Sequence, residues 1–140
     1  MRNRWREVVL GGLLLLGGLL GYAQLDKILK AGGIAVVVDR FGPEMNKAVN
    51  RLTHIKPDKN FTTKVVPIIS AGSGTYVGAA QVMGKPELVK QVQAVAQIEG
   101  SFAGHEVRIK ALIPISTKNP GRSIDRVEGV GVSAILDIRL

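Results

Sequence analysis

Cysteine is absent from the 140 residues of this chain, and aromatic residues are few. Without thiols the chain has no disulfide framework, no thiolate nucleophile, no thiolate zinc site and no thioether-linked haem. With three Phe, two Tyr and one Trp, the core must be built mainly from Val, Ile, Leu and Ala. Such a composition favours a small sheet with a helix packed on it. The lack of cysteine does not identify the compartment.

Signatures of catalysis are equally scarce. The two histidines, His54 and His105, are not spaced as metal ligands, and His105 with Glu106 is the one pair with acid–base potential. A catalytic pair needs a third group to orient it, and the sequence shows none. The glycines around Ser73 fit a hairpin tip, since the loop lacks the Lys-Ser/Thr ending of a phosphate-binding loop. The sequence therefore predicts no catalytic residue, metal site or cofactor, and an enzyme based on His105 and Glu106 is only a third alternative.

Positive charge is in excess and is spread along the chain, with nineteen Lys and Arg against eleven Asp and Glu, a formal net charge of +8. Such an excess suits a partner with a dense array of phosphates or carboxylates, such as anionic lipid, a wall polymer or nucleic acid. The sequence shows no aromatic-studded basic strand, no paired zinc ligands and no helix-turn-helix pattern. It therefore argues against nucleic acid and leaves membrane lipid or another envelope component as the partner.

One long apolar run, Val8 to Leu25, carries no charged residue. As a helix its 18 residues rise about 27 Å, close to the roughly 30 Å hydrocarbon core of a bilayer. Three arginines precede the run, and two lysines offset by one aspartate follow it: Arg2, Arg4, Arg6, Lys27, Lys30 and Asp26. Because basic residues stay on the cytoplasmic side, we predict a cytoplasmic leader (1–7), a single transmembrane helix or signal-anchor (8–25) and an extracytoplasmic domain.

The same features fit a cleaved signal peptide. Gly21-Tyr22-Ala23 is a small-x-small site, and cleavage after Ala23 would secrete the rest of the chain. The run is longer than the roughly 7 to 15 residues of a usual signal core, which favours the anchor. Gly17 and Gly21 also have the GxxxG spacing that lets two membrane helices approach closely. They are the candidate helix–helix contact of a homo-oligomer.

Residues 26–63 read as a juxtamembrane helical or linker region. The β-branched run Ile34 to Val38 fits either a short strand or a helix continuing from the membrane, and we favour a helix with a break near Gly42. Pro43 suits a first helical turn. The apolar positions between Met45 and Leu52 then predict a second helix with one buried stripe.

Residues 64–140 read as a small α+β domain. Lys64–Ser70 and Thr75–Met83 predict a hairpin, because four small turn residues separate two β-branched or small-residue runs. A helix is expected to begin at Pro86, bury the apolar positions from Leu88 to Ala96 and end at Gly100.

Two more strands are expected after this helix. Alternation predicts strands at Val107–Ile115 and in the segment from Val130 to Leu140, joined through a turn at Asn119-Pro120-Gly121. Prolines within the first and third strands, Pro67 and Pro114, predict edge positions or bulges. The fold class is therefore α+β, an N-terminal transmembrane helix followed by a small antiparallel sheet in the order β-β-α-β-β with one or two packed helices.

The turn after the third strand carries the candidate anion contacts Lys118, Arg122 and Arg126. The function expected from these observations is a membrane-anchored envelope protein whose extracytoplasmic domain is a non-enzymatic interaction or scaffolding module. The partner would be a second copy or another envelope protein. The alternative is a binding module for an anionic ligand, such as a lipid headgroup, a wall polymer or a phosphate.

Overall fold

A computed structural model describes residues 15–120 and 124–139, with side chains described from residue 33 onward. The class is α+β, with two helices and a curled, mixed sheet of five strands. In chain order the elements are α1 (Leu15–Thr53), β1 (Thr62–Ser70), β2 (Tyr76–Gly84), α2 (Pro86–Val89), β3 (Ala94–Phe102), β4 (Val107–Ile115) and β5 (Gly131–Leu136).

Helix α1 is interrupted at one residue, Gly33, whose φ of 76° and ψ of −168° are not helical. Glycine tolerates this conformation because it has no Cβ. The helix over Ile34 to Val38 is confirmed, and the break expected near Gly42 is wrong, since α1 continues through Gly42 and Pro43. Pro43 is exposed, so the ring and the missing N–H of this proline do not disturb the buried stripe on the other side of the helix.

The predicted transmembrane helix is not supported by the fold. Within residues 15–120 and 124–139, no helix is both long enough and apolar enough to cross a membrane. The leader 1–7 and residues 8–14 of the apolar run lie outside this part of the chain, and residues 15–25 belong to α1.

The sheet has the strand order β4-β3-β1-β2-β5. Strands β1 and β2 form the expected antiparallel hairpin, with register from Thr62 opposite Gly84 to Ile69 opposite Tyr76. The expectation of an all-antiparallel sheet is wrong, because β1 pairs with β3 in parallel over Ile68 to Ser70. The chain between them forms β2 on one side of β1 and then crosses through α2 to the other side, which provides the long connection that a parallel pair requires.

The long helix predicted from Pro86 to Gly100 is also wrong. Only Pro86–Val89 is helical, and Ala94–Phe102 is strand β3. Val89, Val92 and Val95 are spaced by three residues, as on one face of a helix. In the structure they are buried in one cluster although only Val89 lies in a helix. The β-branched content and the buried alternate alanines Ala94 and Ala96 belong instead to a strand that is covered on both sides.

The last two strands do not form a hairpin with each other. Strand β4 pairs with β3 at one edge of the sheet, and β5 pairs with β2 at the other. The prediction of a β-β-α-β-β order is therefore corrected to β-β-α-β-β-β after α1. Pro114 lies in an edge strand as predicted, but Pro67 lies in the central strand β1, at the residue before parallel pairing with β3 begins.

Helix α1 covers one side of the sheet, which we call the α1 side. Val37, Val38 and Met45 of the helix pack with Val65 and Ala79 of the sheet. The expectation that the Met45–Leu52 helix packs on the sheet is confirmed, although Leu52 itself is exposed. On the opposite side, α2 and a later loop cover β1, β2 and β3 through a cluster of eight residues: Val66, Ile68, Ala80, Val82, Val89, Val92, Val95 and Val127.

A buried glutamine fixes α1 on the sheet. Gln81 of β2 is fully buried, and its Nε2 donates to Asn46 Oδ1 at 2.9 Å and to Asn50 Oδ1 at 2.8 Å. Ser133 of β5 donates to Gln81 Oε1 at 2.6 Å. Thr63 and Asn50 also hydrogen-bond through their side chains, at 3.0 and 3.1 Å. A buried amide without hydrogen-bond partners is costly, and sliding α1 along its axis would separate Gln81 from Asn46 and Asn50. The network therefore holds the helix at one position along its axis.

Candidate functional site

Strands β3 and β4 extend past the end of the sheet as a two-stranded ribbon. Ser70, the last residue of β1, is opposite Gln97, whereas β3 continues to Phe102. The pairing of β3 with β4 is unbroken over nine pairs, from Ala94 opposite Ile115 to Phe102 opposite Val107. Beyond Gln97 each strand therefore has only the other as a partner. We call residues Ile98 to Ala111 the ribbon.

One face of the ribbon is apolar, and every described residue of the ribbon is exposed. Opposed pairs on this face are Ile98 with Ala111, Gly100 with Ile109, and Phe102 with Val107. The exposed fractions are 36% for Ile98, 67% for Phe102, 47% for Val107 and 45% for Ile109. This apolar ribbon face continues the α1 side of the sheet beyond the buried cluster of Ile69, Ala94, Ala96 and Ile115.

The opposite face of the ribbon is polar. Glu99 is directly opposite Lys110, and Ser101 is directly opposite Arg108. These pairs alternate with the apolar pairs because successive side chains of a strand point to opposite faces. The ribbon is therefore amphipathic, and its apolar face has no covering element within the described chain.

A tight turn closes the ribbon. Ala103 and Gly104 have φ values of 57° and 70°, and Glu106 N donates to Ala103 O at 3.3 Å. Residues 103–106 therefore connect the two strands, with two successive residues in the left-handed region. Glycine takes this conformation freely, whereas Ala103 takes it at a cost.

His105 and Glu106 complete this turn, and both are exposed. Their side chains make no hydrogen bond or ion pair with any residue of the described segments. Among those segments, no group of three or more potential metal ligands is brought together. A shallow hollow of about 540 Å³ includes His105 and the ribbon residues Glu99, Arg108 and Lys110. The geometry supplies no orienting group for an acid–base pair.

Helix α1 reaches the sheet from the end at which the ribbon projects. Near the end of the helix, Asn50 contacts Thr63 at the start of β1. Earlier in the helix, Val37 and Val38 pack with Ala79, the partner of Pro67 farther along β1. The helix therefore runs antiparallel to β1. Because β3 runs parallel to β1, the start of this part of the helix, at Ile34, and the ribbon lie at the same end of the sheet.

The first predicted anion contact, Lys118, lies at a groove between α1 and β1. Its Nζ is 3.8 Å from Asp39 Oδ1, and the groove, of about 470 Å³, also includes Lys64 and Gln93. Lys64 Nζ donates to Val92 O at 2.7 Å. Burial, and secondarily the nearby charge of Lys118, hold the pKa of Lys64 below its ordinary value. Two lysines therefore meet at this groove, with one carboxylate beside them.

The other two predicted anion contacts are not brought into this groove by any described contact. Arg126 is exposed, and its backbone forms an isolated bridge with Ile115. Arg122 lies outside the described residues. The sequence does not predict that Lys64 lies beside Lys118, because Lys64 comes from a strand more than fifty residues earlier in the chain.

The predicted helix–helix contact, Gly17 and Gly21, lies in α1 before the interruption at Gly33. Four residues apart on one helix, the two glycines share a face. Their role in association stays a prediction.

Comparisons of this chain with protein-family models, with curated proteins and with solved structures found no match. The function is therefore argued from the chain's own residues.

Proposed function

We propose that this chain is a membrane-attached, non-enzymatic interaction module. The observation that carries the proposal is the apolar ribbon face, on which Ile98, Phe102, Val107 and Ile109 are each more than one-third exposed. Apolar side chains gathered on one exposed face are typical of a contact surface, whereas scattered ones are not. Such a face marks contact with a protein or with a membrane, and neither contact needs a catalytic group.

Attachment to the membrane is supported by the apolar run Val8 to Leu25 and by the arginines that precede it. Helix α1 contains residues 15–25 of this run, and after the interruption at Gly33 it continues onto the sheet, so few residues separate the run from the domain. The arginines place the leader in the cytoplasm and the domain outside it. The alternative is secretion after cleavage at Ala23.

The chain has no cysteine of its own, so one introduced cysteine is a unique labelling site with which this topology can be tested. Lys59→Cys lies in an exposed loop of the domain, and Arg2→Cys lies in the leader. In intact cells that express the full chain, a membrane-impermeant maleimide should label Lys59→Cys at once and Arg2→Cys only after permeabilisation. The labelled chain should stay with the membrane on alkaline extraction.

Other labelling results have defined meanings. Labelling of Arg2→Cys alone in intact cells would reverse the orientation. Labelled chains in the medium, with the mass of a chain whose first residue is Gln24, would establish secretion. Release of the intact chain by alkali would contradict attachment through the apolar run.

A second candidate function is the binding of an anionic ligand, and the pair Lys64 and Lys118 favours it. Both lysines line one groove, although Lys118 already forms an ion pair with Asp39 and Lys64 Nζ already donates to Val92 O. Titration of the chain with inorganic phosphate tests this function, with Lys118→Ala as the variant and the exposed Lys59→Ala as its control. Specific binding should be lost only in Lys118→Ala and should weaken as salt rises.

A further inference from the structure

We propose that the apolar ribbon face is itself a lipid contact, lying in the boundary between headgroups and acyl chains while the charged face of the ribbon points to water. This inference rests on the membrane attachment proposed above. It assigns to the domain a second point of contact with the bilayer, separate from the apolar run.

The position of the ribbon is the first argument. The helix on the sheet begins, after the interruption at Gly33, at the end of the sheet at which the ribbon projects, and only residues 26–33 connect it to Val8–Leu25. If the apolar run holds the protein to a bilayer, this end of the domain is nearest to the lipid. The ribbon extends five residues past its pairing with β1, which is about 17 Å at ~3.3 Å per residue.

The distribution of residues is the second argument. An element that lies in the membrane interface has apolar residues on one face and charged residues on the other. Here Phe102, Val107 and Ile109 share one face, whereas Glu99 and Lys110 pair on the other. The bilayer would cover the exposed apolar side chains and leave the charged residues of the opposite face in water.

The size of the face argues against a second copy as the occupant. Two strands about 5 Å apart and roughly 17 Å long offer a footprint of order 200 Å². A stable protein interface buries about 800 Å² on each partner. Contact with a bilayer needs no such minimum area, because it only adds to an attachment that the apolar run already provides.

Pairing of a second copy along the edge of β4 is also disfavoured. Arg108 and Lys110 alternate along this edge strand, and an antiparallel match with the same strand would place like charges opposite one another. Basic residues on an exposed edge are a common protection against such pairing.

The test uses the full chain in neutral phosphatidylcholine vesicles, with an environment-sensitive dye on single cysteines. Ile109→Cys and Lys110→Cys are neighbours on opposite faces of the ribbon, so they share position and differ only in direction. Phe102→Cys and Leu52→Cys have matched exposures, 67% and 68%, but Leu52 lies at the opposite end of the domain. Quenching by bromine-bearing lipid should be severalfold stronger at 109 than at 110, and at 102 than at 52.

Each other outcome counts against the proposal. Equal, weak quenching at all four positions in chains that float with the vesicles would overturn the ribbon contact and leave membrane attachment intact. If the dye at positions 102 and 109 is shielded from water in a way that depends on protein concentration and not on brominated lipid, the face contacts a second copy. Chains that do not float with the vesicles would overturn the attachment, and the ribbon contact with it.

Discussion

Phe102 lies directly opposite Val107 in the last pair of the β3–β4 ladder, and both side chains face solvent, with exposures of 67% and 47%. An aromatic residue opposite a β-branched one stabilises a sheet by about 0.2 to 1 kcal/mol. This pair, however, covers no core. The two side chains therefore contribute little to the stability of the domain, and their value lies in what they contact.

The first prediction separates these two roles. Phe102→Ser should change the free energy of unfolding by less than about 1 kcal/mol, because only one exposed cross-strand pair is lost. Ile69→Ala, on the same side of the sheet but 1% exposed, should cost about 2 to 5 kcal/mol. Urea unfolding followed by circular dichroism measures both. A large loss in Phe102→Ser would mean that the ribbon face is part of the core.

The second prediction concerns the buried amide that seats α1. Gln81→Leu should destabilise the chain by about 1 to 3 kcal/mol, because the fully buried Gln81 amide makes hydrogen bonds with Asn46, Asn50 and Ser133 that a leucine cannot replace.

The control for this prediction is Gln91→Leu. Gln91 is exposed and bonds only to the backbone oxygen of Glu87, so the change should be within about 0.5 kcal/mol. Equal effects of the two variants on the urea midpoint would contradict the role given to Gln81.

The third prediction concerns the turn that closes the ribbon. Ala103 has a φ of 57°, which an alanine adopts at a cost of about 1 kcal/mol. Ala103→Asn should therefore raise the free energy of unfolding by roughly 0.5 kcal/mol, because asparagine tolerates this region. Gly104→Ala, at a φ of 70°, should lower it by about 1 kcal/mol. Thermal unfolding distinguishes these opposite signs, and a destabilised Ala103→Asn would show that the turn has another geometry.

The fourth prediction follows from the lysines of the groove. The pKa of Lys64 is held below its ordinary value of 10.5, first by burial and then by the charge of Lys118. In Lys118→Ala the pKa of Lys64 should rise part of the way back, because burial remains. Titration of the lysine Nζ signals by NMR measures this shift, with Lys59→Ala as the control that leaves Lys64 unchanged.

The lowered pKa also fixes the sign of a stability change. Between the pKa of Lys64 in the folded chain and its value in the unfolded chain, the unfolded state binds more protons, so this group makes the fold more stable as the pH rises through that window. The effect should be smaller in Lys118→Ala. A Lys64 that titrates together with the exposed lysines would contradict the account of the groove.

Local patterns in the sequence predict some of this fold well. The β1–β2 hairpin follows from the small turn residues before Thr75, and the helix around Met45 and Val49 follows from their spacing. The segment from Ala94 to Phe102 could not be assigned in this way, because Val89, Val92 and Val95 have helical spacing and become buried together only when a distant strand, β1, pairs with β3. Tertiary contacts therefore determine that this segment is a strand and not a helix.

Because the sequence does not predict strand β3, it does not predict the ribbon either. The alternation of Val107 and Ile109 predicts a half-buried strand, and this strand is present in the structure. Only its partner strand shows that the apolar side is left open, and the sequence predicts Ile98 in a helix that ends at Gly100 and predicts no strand at Phe102. Likewise, Lys64 and Lys118 meet through the fold and not through any spacing in the sequence.

The central claim is that the chain is attached to a membrane by apolar contact. Flotation of the full chain with neutral phosphatidylcholine vesicles tests it most directly when carried out at about 1 M salt, where the Debye length falls to about 3 Å and surface charge attraction is screened. Attachment through the apolar run predicts that the chain rises with the vesicles at low and high salt alike. A chain that stays at the bottom of the gradient, or that rises only with anionic vesicles at low salt, would contradict the account.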